Sequence, residues 1–464
     1  MPTSTFPTRD ALVAAARRLM PEEARRFAER RPTSAAVAAA RGPGFLANVP
    51  MHWMGDWPTP FPMLVAKAAG AHLVDADGNR LVDFCLGDTG SMFGHAPQPI
   101  VAALAATAAA GLTTMLPTPD AAVVGRLLAE RFGLPRWQVA TTASDANRFA
   151  LRAARAATGR SKVVVFDGCY HGAVDEALVD LVDGGTVARP SLLGQAVDAA
   201  AVAVSVPFND VAALEAALAG GDVACVLAEP VMTNCSMILP EPGFHAALRR
   251  LTRAAGTLLI IDETHTLSSG LGGYTALNGL EPDLFVAGKA VAGGVPTAVW
   301  GMSEAVAAAL TAPPAAPDAH GYSGIGTTLS GSTLQLACLR ACLESVMTAE
   351  ASAAMNAGAD VVEAGFSEAI RRAGLPWHVA RVGARLEVVF APRPLRDAAE
   401  ARAAALPAVE RLLHVALVNA GFLLTPFHNM VLVSPETTRE EAAGLVAAFG
   451  AALDRLVAAT EDRG

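Results

Sequence analysis

Two stretches of the chain, TLLIIDETHT at 257–266 and LFVAGKAVAGG at 284–294, decide the fold. Each contains a short uninterrupted apolar run, which is typical of a strand buried on both faces. Such runs alternate with Ala-rich helical segments, and strands separated by helices predict an α/β domain with a mainly parallel sheet sandwiched by helices. The other runs of this kind lie at 138–142, 162–166, 202–206, 223–228 and 297–300.

The 464 residues are too many for one ordinary core and fit a large domain with a smaller partner. We predict that residues 111–335 form the large domain. Residues 336–464 alternate long helical and β-like segments, which indicates a smaller α+β domain. Residues 1–110, with a helix, an aromatic loop and a β-hairpin, are expected to pack with that smaller domain. A Pro/Gly-rich loop, flexible by its composition, is expected at 312–324.

The composition argues against several classes of protein. A net charge of −9 without basic blocks disfavours a nucleic-acid partner. No run approaches the roughly 20 apolar residues that span a bilayer. Because the N-terminus also lacks the pattern of a secretion signal, we predict a cytoplasmic protein without a membrane partner. The six cysteines are scattered, which predicts reduced cysteines and no metal site.

Two ionisable residues, Asp262 and Lys289, follow the strands of the opening stretches, where ligands of an open α/β sheet bind. Asp262 follows an apolar run and suits a cationic partner such as a pyridinium nitrogen; a helix cap or a structural ion pair is the alternative. A desolvated lysine amine can attack an aldehyde. Lys67 falls in a hairpin strand and Lys162 at the wrong end of a strand. A Schiff-base lysine would therefore be Lys289, unless that side chain only extends to solvent.

Two further loops follow strands of the same sheet. Thr142, Ala143 and Ser144 lie between a strand and a helix, where free N–H groups and hydroxyls suit a phosphate. An ordinary N-cap is the alternative. In FDGCYHG, at 166–172, Tyr170 could stack on a flat cofactor ring, and the alternative is an aromatic loop tip. The segments that carry Asp262, Lys289, Thr142 and Tyr170 together form one pattern.

These segments, in this order, resemble the class III (ω-) aminotransferases of pyridoxal-phosphate (PLP) fold type I, especially the branch near glutamate-1-semialdehyde aminomutase and the β-amino-acid aminotransferases. The resemblance runs from about residue 60 to the C-terminus and implies PLP as the cofactor. It rests on LVDADGNRLVDFCLGDTGSMFGHAP (73–97), SDANRFALRAAR (144–155), FDGCYHG (166–172), AEPVM (228–232), LLIIDETHT (258–266), LFVAGKAVAGG (284–294) and GTTLSGSTL (326–334).

The resemblance implies a role for each matching residue. Lys289 resembles the lysine that holds PLP as a Schiff base and shuttles the substrate proton, and Asp262 resembles the partner of the pyridinium nitrogen. Tyr170 resembles the aromatic residue that stacks on the ring. Thr328 resembles a threonine that reaches the cofactor phosphate of the neighbouring subunit, which implies a homodimer with shared active sites. The residues implied at the cofactor are Thr142, Ala143, Ser144, Tyr170, His171, Glu229, Asp262, His265, Lys289 and Thr328.

The chain departs from the family pattern at several points. Ala143 stands where relatives have Gly, and Thr264-His265 replaces a hydrophobic residue or Gln. Two arginines that hold the carboxylate in β-amino-acid relatives are missing, which weakens the expectation of an amino-acid substrate. Arg381 or Arg385 could substitute for them, although surface salt bridges are the expected use of both.

The resemblance predicts an aminotransferase that moves an amino group from an amine or amino-acid donor to a keto acid or aldehyde by a ping-pong route. The alternative is an aminomutase, racemase or decarboxylase at the same site. A nicotinamide dehydrogenase is disfavoured because no strand runs into GxGxxG. A catalytically silent regulator is disfavoured because no DNA-binding segment precedes the large domain. A pocket that favours an aromatic or bulky amine is expected from Trp53, Met54, Trp57 and His428.

Overall fold

The computed structural model describes residues 6–40, 44–190, 192–195, 197–311 and 323–461. Within these ranges the chain forms two compact units. Unit 1 comprises Met1–Pro97, Ala353–Pro394 and Ala403–Gly464, and unit 2 comprises Gln98–Ser352 and Leu395–Arg402. The loop expected at 312–324 lies outside the described residues, apart from its last two positions.

Helices and strands occupy most of the described chain. The helices are α1 (Arg9–Glu29), α2 (Pro32–Ala39), α3 (Gln98–Ala110), α4 (Asp120–Phe132), α5 (Ala143–Thr158), α6 (Val211–Leu218), α7 (Phe244–Ala255), α8 (Gly273–Leu277), α9 (Glu304–Thr311), α10 (Thr333–Ser345), α11 (Ala349–Arg372), α12 (Ala398–Ala404), α13 (Pro407–Asn419) and α14 (Arg439–Glu461). The strands are β1 (Val65–Ala69), β2 (His72–Asp75), β3 (Arg80–Asp83), β4 (Arg136–Ala140), β5 (Lys162–Phe166), β6 (Val179–Val182), β7 (Gly185–Ala188), β8 (Ala203–Val206), β9 (Val223–Ala228), β10 (Leu258–Asp262), β11 (Leu284–Ala287), β12 (Ala298–Met302), β13 (His378–Val382), β14 (Arg385–Val389), β15 (Phe422–Leu423) and β16 (Val431–Leu432).

A seven-stranded sheet forms the centre of unit 2, in the order β4-β12-β11-β10-β9-β5-β8. Strand β10 is parallel to β9 and β11, and β5 is parallel to β8 and β9. Only β12 runs against its neighbours β11 and β4 in this described sheet. Every residue of β9 and β11 is buried, as expected for strands covered on both faces. The mainly parallel α/β sheet predicted from the apolar runs is confirmed.

Helix α5 brings a free helix end to the sheet edge where the strands finish. It begins at Ala143, shortly after β4 ends at Ala140, and it packs on β9, β11 and β12. Its apolar face, which includes Phe149 and Leu151, is buried. Because β4 runs in the same direction as the parallel strands, the N-terminus of α5 lies at their carboxyl ends.

Unit 2 extends further along the chain than the range 111–335 suggested by the sequence. Helix α3 packs on α10, and α10 packs on α4, so all three helices belong to unit 2. The segment Leu395–Arg402 also joins unit 2, where Arg402 pairs with Asp167 at 2.5 Å and the Arg396 carbonyl accepts a hydrogen bond from Asn209 at 2.9 Å. The hydrophobic pattern of helices alone did not reveal these packing partners.

Unit 1 contains two smaller sheets, β1-β2-β3-β15 and β13-β14-β16. The predicted hairpin is formed by antiparallel β2 and β3. In its turn, Asp77 accepts hydrogen bonds from the backbone N–H groups of Thr33 and Ser34 at 2.6 and 3.2 Å, which caps the first turn of α2. The hairpin turn therefore fixes the start of a helix elsewhere in the same unit.

Helix α14 is the one described helix that is long and apolar enough to cross a membrane by length and composition. Its residues Leu445, Phe449 and Leu453 are buried in the hydrophobic core of unit 1. A core helix passes the same test of length and composition, and α14 packs as a core helix.

Candidate active site

The carboxyl ends of four neighbouring parallel strands carry the candidate site. Asp262 is the last residue of β10, Glu229 follows β9 directly, and Lys289 comes shortly after β11. Tyr170 and His171 lie on the loop after β5. Because these strands run in one direction, the loops that carry these residues leave the sheet at the same edge.

Asp262 is buried and accepts hydrogen bonds at both carboxylate oxygens. Asn147 Nδ2 donates to Oδ2 at 2.8 Å, and Thr264 donates to Oδ1 from Oγ1 and from its backbone N at 2.6 and 3.0 Å. The His171 ring contacts Oδ2 through Nδ1 at 2.9 Å. Burial raises the pKa of this carboxyl, but His171, Thr264 and Asn147 outweigh it and lower the pKa to about 2. Asp262 is therefore a carboxylate at neutral pH, which is the charge that a protonated pyridine nitrogen requires.

His171 is the charged partner of Asp262. Burial disfavours the imidazolium, but Cys169 and the Asp262 carboxylate raise the pKa of His171 to about 10. The ring is thus held between Cys169 and the Asp262 carboxylate.

The predicted phosphate loop forms the N-terminus of α5. Thr142 is the N-cap residue, and its Oγ1 accepts a hydrogen bond from the backbone N of Asp145 at 3.1 Å. The same Oγ1 donates to the Asp145 carboxylate at 2.9 Å. The helix thus has an ordinary N-cap, at Thr142 rather than at the serine or aspartate that follows it. The helix dipole and free N–H groups of this turn remain suited to a phosphate.

Close backbone contacts join this loop to two others. Ser144 Oγ accepts a hydrogen bond from the backbone N of Ala173 at 3.0 Å. A Cβ at Gly172 would lie 2.1 Å from Ser144 Oγ, and a Cβ at Gly288 would lie 2.8 Å from the Ala143 Cβ. Both positions therefore need glycine. The loops after β4, β5 and β11 meet here, next to Lys289.

Lys289 has a strained backbone and a defined neighbour. Its φ is 52°, in the left-handed region that residues with a side chain rarely adopt. Strain of this kind collects at functional sites, where the surrounding structure holds it. The Lys289 Nζ lies 2.5 Å from His265 Nε2. The amine is therefore fixed beside an imidazole at the end of the sheet.

His265 is the start of a series of hydrogen bonds between buried polar side chains. Its Nδ1 lies 2.7 Å from Thr233 Oγ1, which donates to Glu229 Oε2 at 2.8 Å. Glu229 Oε1 accepts from the backbone N of Tyr170 at 3.0 Å. The structure thus connects Lys289 with three residues that the sequence had placed at the cofactor by resemblance.

Thr328 lies apart from this cluster in sequence, in an exposed loop before α10. The neighbouring Thr327 Oγ1 is 3.0 Å from Ser330 Oγ. One surface cavity is lined both by this loop and by the segment that contains Met115 and Leu116. These exposed segments of unit 2 are thus adjacent.

The four residues expected to contact the substrate all belong to unit 1. The Trp53 ring meets Phe427 edge-on at 6.1 Å, and Met54 is exposed. The Trp57 ring lies 5.5 Å from the ring of His414, whose pKa burial lowers to about 4. His428 Nδ1 is 3.9 Å from Glu387 Oε1. Their role toward the substrate stays a prediction.

One expectation about the arginines is wrong. Arg381 forms the expected salt bridges, with Asp360 at 2.6 Å and Glu363 at 2.8 Å. Arg385 has only 1% of its surface exposed and contacts Thr89 and Met430. It lies on β14, the middle strand of a three-stranded sheet. All residues of β14 are buried, so Arg385 cannot form a surface salt bridge.

Three residues of the cluster were not predicted as site residues. Asn147 on α5 and Thr233 on the loop after β9 gave no signal in the sequence, because their partners are far along the chain. Thr264 was noted only as a departure from the family pattern. Its place two residues after Asp262 could have identified it, because threonine and serine commonly bond to a nearby carboxylate or backbone group.

The chain is similar to known proteins over most of its length. The aminotransferase class-III family profile matches residues 54–449. A glutamate-1-semialdehyde 2,1-aminomutase from Anaeromyxobacter dehalogenans (strain 2CP-C) is 33% identical over 394 residues, which cover 83% of this chain and 89% of that protein. The crystal structure of a glutamate-1-semialdehyde-aminomutase from Pseudomonas aeruginosa PAO1 has a TM-score of 0.92 and 47% identity, and covers 96% of this chain and 99% of its own.

Two other structures extend the comparison. A variant of the Pseudomonas aeruginosa enzyme was solved in complex with PMP, with a TM-score of 0.93. A β-phenylalanine aminotransferase from Variovorax paradoxus has a TM-score of 0.83 and 27% identity, and covers 94% of this chain and 97% of its own. The similarity therefore includes both aminomutases and aminotransferases.

The fold is that of the PLP enzymes of fold type I. More narrowly, the chain belongs to the class-III aminotransferase family, and its cofactor is PLP. The residues of unit 2 fit this group, since a charged Asp262, an amine at Lys289 and a helix N-terminus at Thr142 lie at one sheet edge. The fold type, the family and the cofactor predicted from the sequence are confirmed.

Proposed function

We propose that this chain is a PLP-dependent aminomutase, which moves an amino group between two carbon atoms of one small substrate. The observation that carries the proposal is the 47% identity with an aminomutase over 96% of this chain and 99% of the other. The curated relative at 33% identity has the same activity in its name. The sequence favoured transfer between two substrates and kept the aminomutase as the alternative; the similarity now favours the alternative.

The bound cofactor supplies a protonated ring that accepts an electron pair from the substrate carbon. Asp262 holds a proton at the ring nitrogen, because its carboxylate stays charged in its network with His171 and Asn147. Lys289 anchors the cofactor and, once released, moves the proton of the substrate at its Nζ. The turn at Thr142 to Ser144 would hold the phosphate through backbone N–H groups and the Ser144 hydroxyl.

Amino-group transfer between two substrates is the second candidate. The similarity to a β-phenylalanine aminotransferase favours it. Both activities begin with the same proton removal by the same lysine. They differ in what happens to the amino group. An aminomutase returns the amino group to the molecule it came from, whereas an aminotransferase gives it to a separate keto acid or aldehyde.

The substrate is proposed to be a small amino aldehyde. The named relatives act on glutamate 1-semialdehyde by their printed names. This chain carries His52, Trp53 and His428 in regions where β-amino-acid relatives have carboxylate-binding arginines. We therefore expect glutamate 1-semialdehyde to be a poor substrate and a less acidic, bulkier amino aldehyde to be a better one.

An isotope experiment separates the two candidates. We expect the purified holoenzyme to isomerise an amino aldehyde with its 15N label retained and without consuming any keto acid. Product analysis by mass spectrometry, with and without pyruvate or 2-oxoglutarate, measures this. Strict dependence on the keto acid, with the label appearing in the new amino acid, would overturn the aminomutase in favour of the aminotransferase. The Lys289→Ala variant serves as the control for uncatalysed exchange.

We also propose a homodimer in which Thr328 reaches the phosphate of the neighbouring subunit. Met115 and Leu116 are exposed beside the loop that carries Thr328, and Leu329 on that loop is exposed too. Grouped exposed apolar residues mark interaction surfaces. The cytoplasmic location and the lack of membrane and nucleic-acid partners stay predictions from the sequence.

The Thr328→Val variant tests the shared site. Loss of one hydrogen bond to a charged phosphate is expected to weaken PLP binding about tenfold. Equilibrium dialysis of the cofactor measures this change, and analytical ultracentrifugation measures the oligomeric state. Thr327→Val is the matched control, because the Thr327 hydroxyl is paired with Ser330. Equal PLP affinity in both variants, or a monomeric wild type, contradicts the proposal.

A further inference from the structure

Four side chains form a continuous line of hydrogen bonds at the strand ends. Lys289 Nζ is 2.5 Å from His265 Nε2, and His265 Nδ1 is 2.7 Å from Thr233 Oγ1. Thr233 Oγ1 is 2.8 Å from Glu229 Oε2. Thr233 is fully buried, and Glu229 and His265 expose 4% and 6% of their surface. The line therefore runs through the protein interior and reaches the amine at one end.

The polarity of this line is set by Glu229. A carboxylate only accepts hydrogen bonds, so the single hydroxyl proton of Thr233 points to Glu229. The Thr233 oxygen then accepts from His265, whose neutral ring carries its proton on Nδ1. The unprotonated Nε2 of His265 is left to accept from the Lys289 ammonium. Every donor in the line thus faces an acceptor.

We propose that this line is a proton relay between Lys289 and Glu229, running through His265. One proton passes from Lys289 Nζ to His265 Nε2, and the Nδ1 proton passes to the Thr233 oxygen. The Thr233 hydroxyl proton passes to Glu229 Oε2. Each hop breaks one bond to hydrogen and forms one, and no electrons are exchanged. The result is a neutral amine, a neutral imidazole and a protonated Glu229, and the reverse sequence restores the first state.

The relay deepens the proposed function and rests on the role proposed there for Lys289. An amine removes a proton from carbon only in its neutral form, so Lys289 must first give up its own proton. The relay moves that proton to Glu229 without moving heavy atoms. Glu229 is held in place by the backbone N–H groups of Tyr170 and Thr233 at 3.0 and 3.2 Å. His265 and Thr233 thus act through Lys289.

The other ionisable groups at this strand end have separate partners. Asp262 is bound to His171, Asn147 and Thr264. Glu263, whose pKa burial raises, accepts hydrogen bonds from Thr266 and from the backbone of Tyr274 and Thr275. On the far side of Thr233, Asn234 Nδ2 lies 3.4 Å from Glu229 Oε2 and 3.5 Å from His265 Nδ1, and it carries no charge. Asn234 Nδ2 is also 3.4 Å from Thr233 Oγ1, so it borders the line at three of its atoms.

The relay is tested by titrating the absorption band of the bound cofactor with pH, which needs no substrate. The protonated nitrogen of Lys289 loses its acceptor in His265→Gln, so the midpoint of the titration is expected to fall by about one pH unit. Thr233→Val should shift it in the same direction by less, and Thr233→Ser should restore it. Thr252→Val is the matched control, because Thr252 is buried in the same unit and its hydroxyl donates to the Arg249 carbonyl of its own helix.

The outcomes distinguish a failure of the relay from a failure of the proposed function on which it rests. Absence of a borohydride adduct at Lys289 in the wild type overturns the proposed role of this lysine, and the relay with it. An adduct at Lys289 together with an unshifted midpoint in His265→Gln overturns the relay alone. So does an equal shift in Thr252→Val. A shift in His265→Gln and Thr233→Val, rescued by Thr233→Ser, supports the relay.

Discussion

Lys289→Ala is expected to lower the turnover rate by roughly 10³- to 10⁴-fold, at the upper end for loss of a general acid–base group. The variant loses both the covalent anchor of PLP and the group that moves the substrate proton. Borohydride reduction followed by peptide mapping should find an adduct at residue 289 in the wild type and none in the variant. Single-turnover kinetics with a substrate amine measures the rate.

The chain supplies two matched controls for this experiment. Lys67 lies on β1, and Lys162 forms a surface pair with Asp222 at 2.7 Å. Lys67→Ala and Lys162→Ala should keep the adduct at Lys289 and the wild-type rate. A persistent adduct in Lys289→Ala, or a rate within tenfold of the wild type, would show that another group carries the cofactor.

Asp262→Asn is expected to lower activity by about 10³-fold, because the ring nitrogen loses the charge that keeps it protonated. It is also expected to lower the free energy of unfolding by about 3 kcal/mol, because the buried His171 loses its counter-charge. Steady-state kinetics and urea unfolding measure the two effects. Asp283→Asn is the control, since it breaks the pair with Arg249 at 2.7 Å but should leave PLP chemistry intact.

The stability difference between Asp262→Asn and the wild type should depend on pH. The pKa of Asp262 is lowered from 3.8 to about 2, so its contribution is complete above pH 3.8 and is lost as the pH falls through 2. The pKa of His171 is raised from 6.5 to about 10, so its contribution is complete below pH 6.5 and is lost as the pH rises through 10. The difference should therefore be largest between pH 3.8 and 6.5. A difference that grows toward pH 10 would contradict the charged pair.

The sequence was sufficient to place Asp262 and Lys289, because both follow apolar runs that could only be buried strands. Parallel strands end at one sheet edge, so the position of both residues at the same edge followed from the runs alone. The presence of α5 was also readable, from the Ala-rich helical pattern that follows the loop. These inferences needed only local patterns and one rule of topology.

The sequence was not sufficient for contacts that depend on the path of loops. Thr233 meets His265 because the loop after β9 folds back on itself, through a bridge between Met232 and Ile238. No local period predicts such a bridge. The burial of Arg385 could not be predicted for a similar reason. The sequence around an arginine does not show whether its strand is central or at an edge until the strand order is known.

The left-handed backbone at position 289 has a consequence for how this protein can change over generations. Glycine adopts that φ without strain, whereas a residue with a side chain costs about 1–3 kcal/mol there. Selection for folding alone would therefore drive this position toward glycine and erase the amine. A descendant freed from its reaction would be expected to gain stability at the very residue where it loses chemistry.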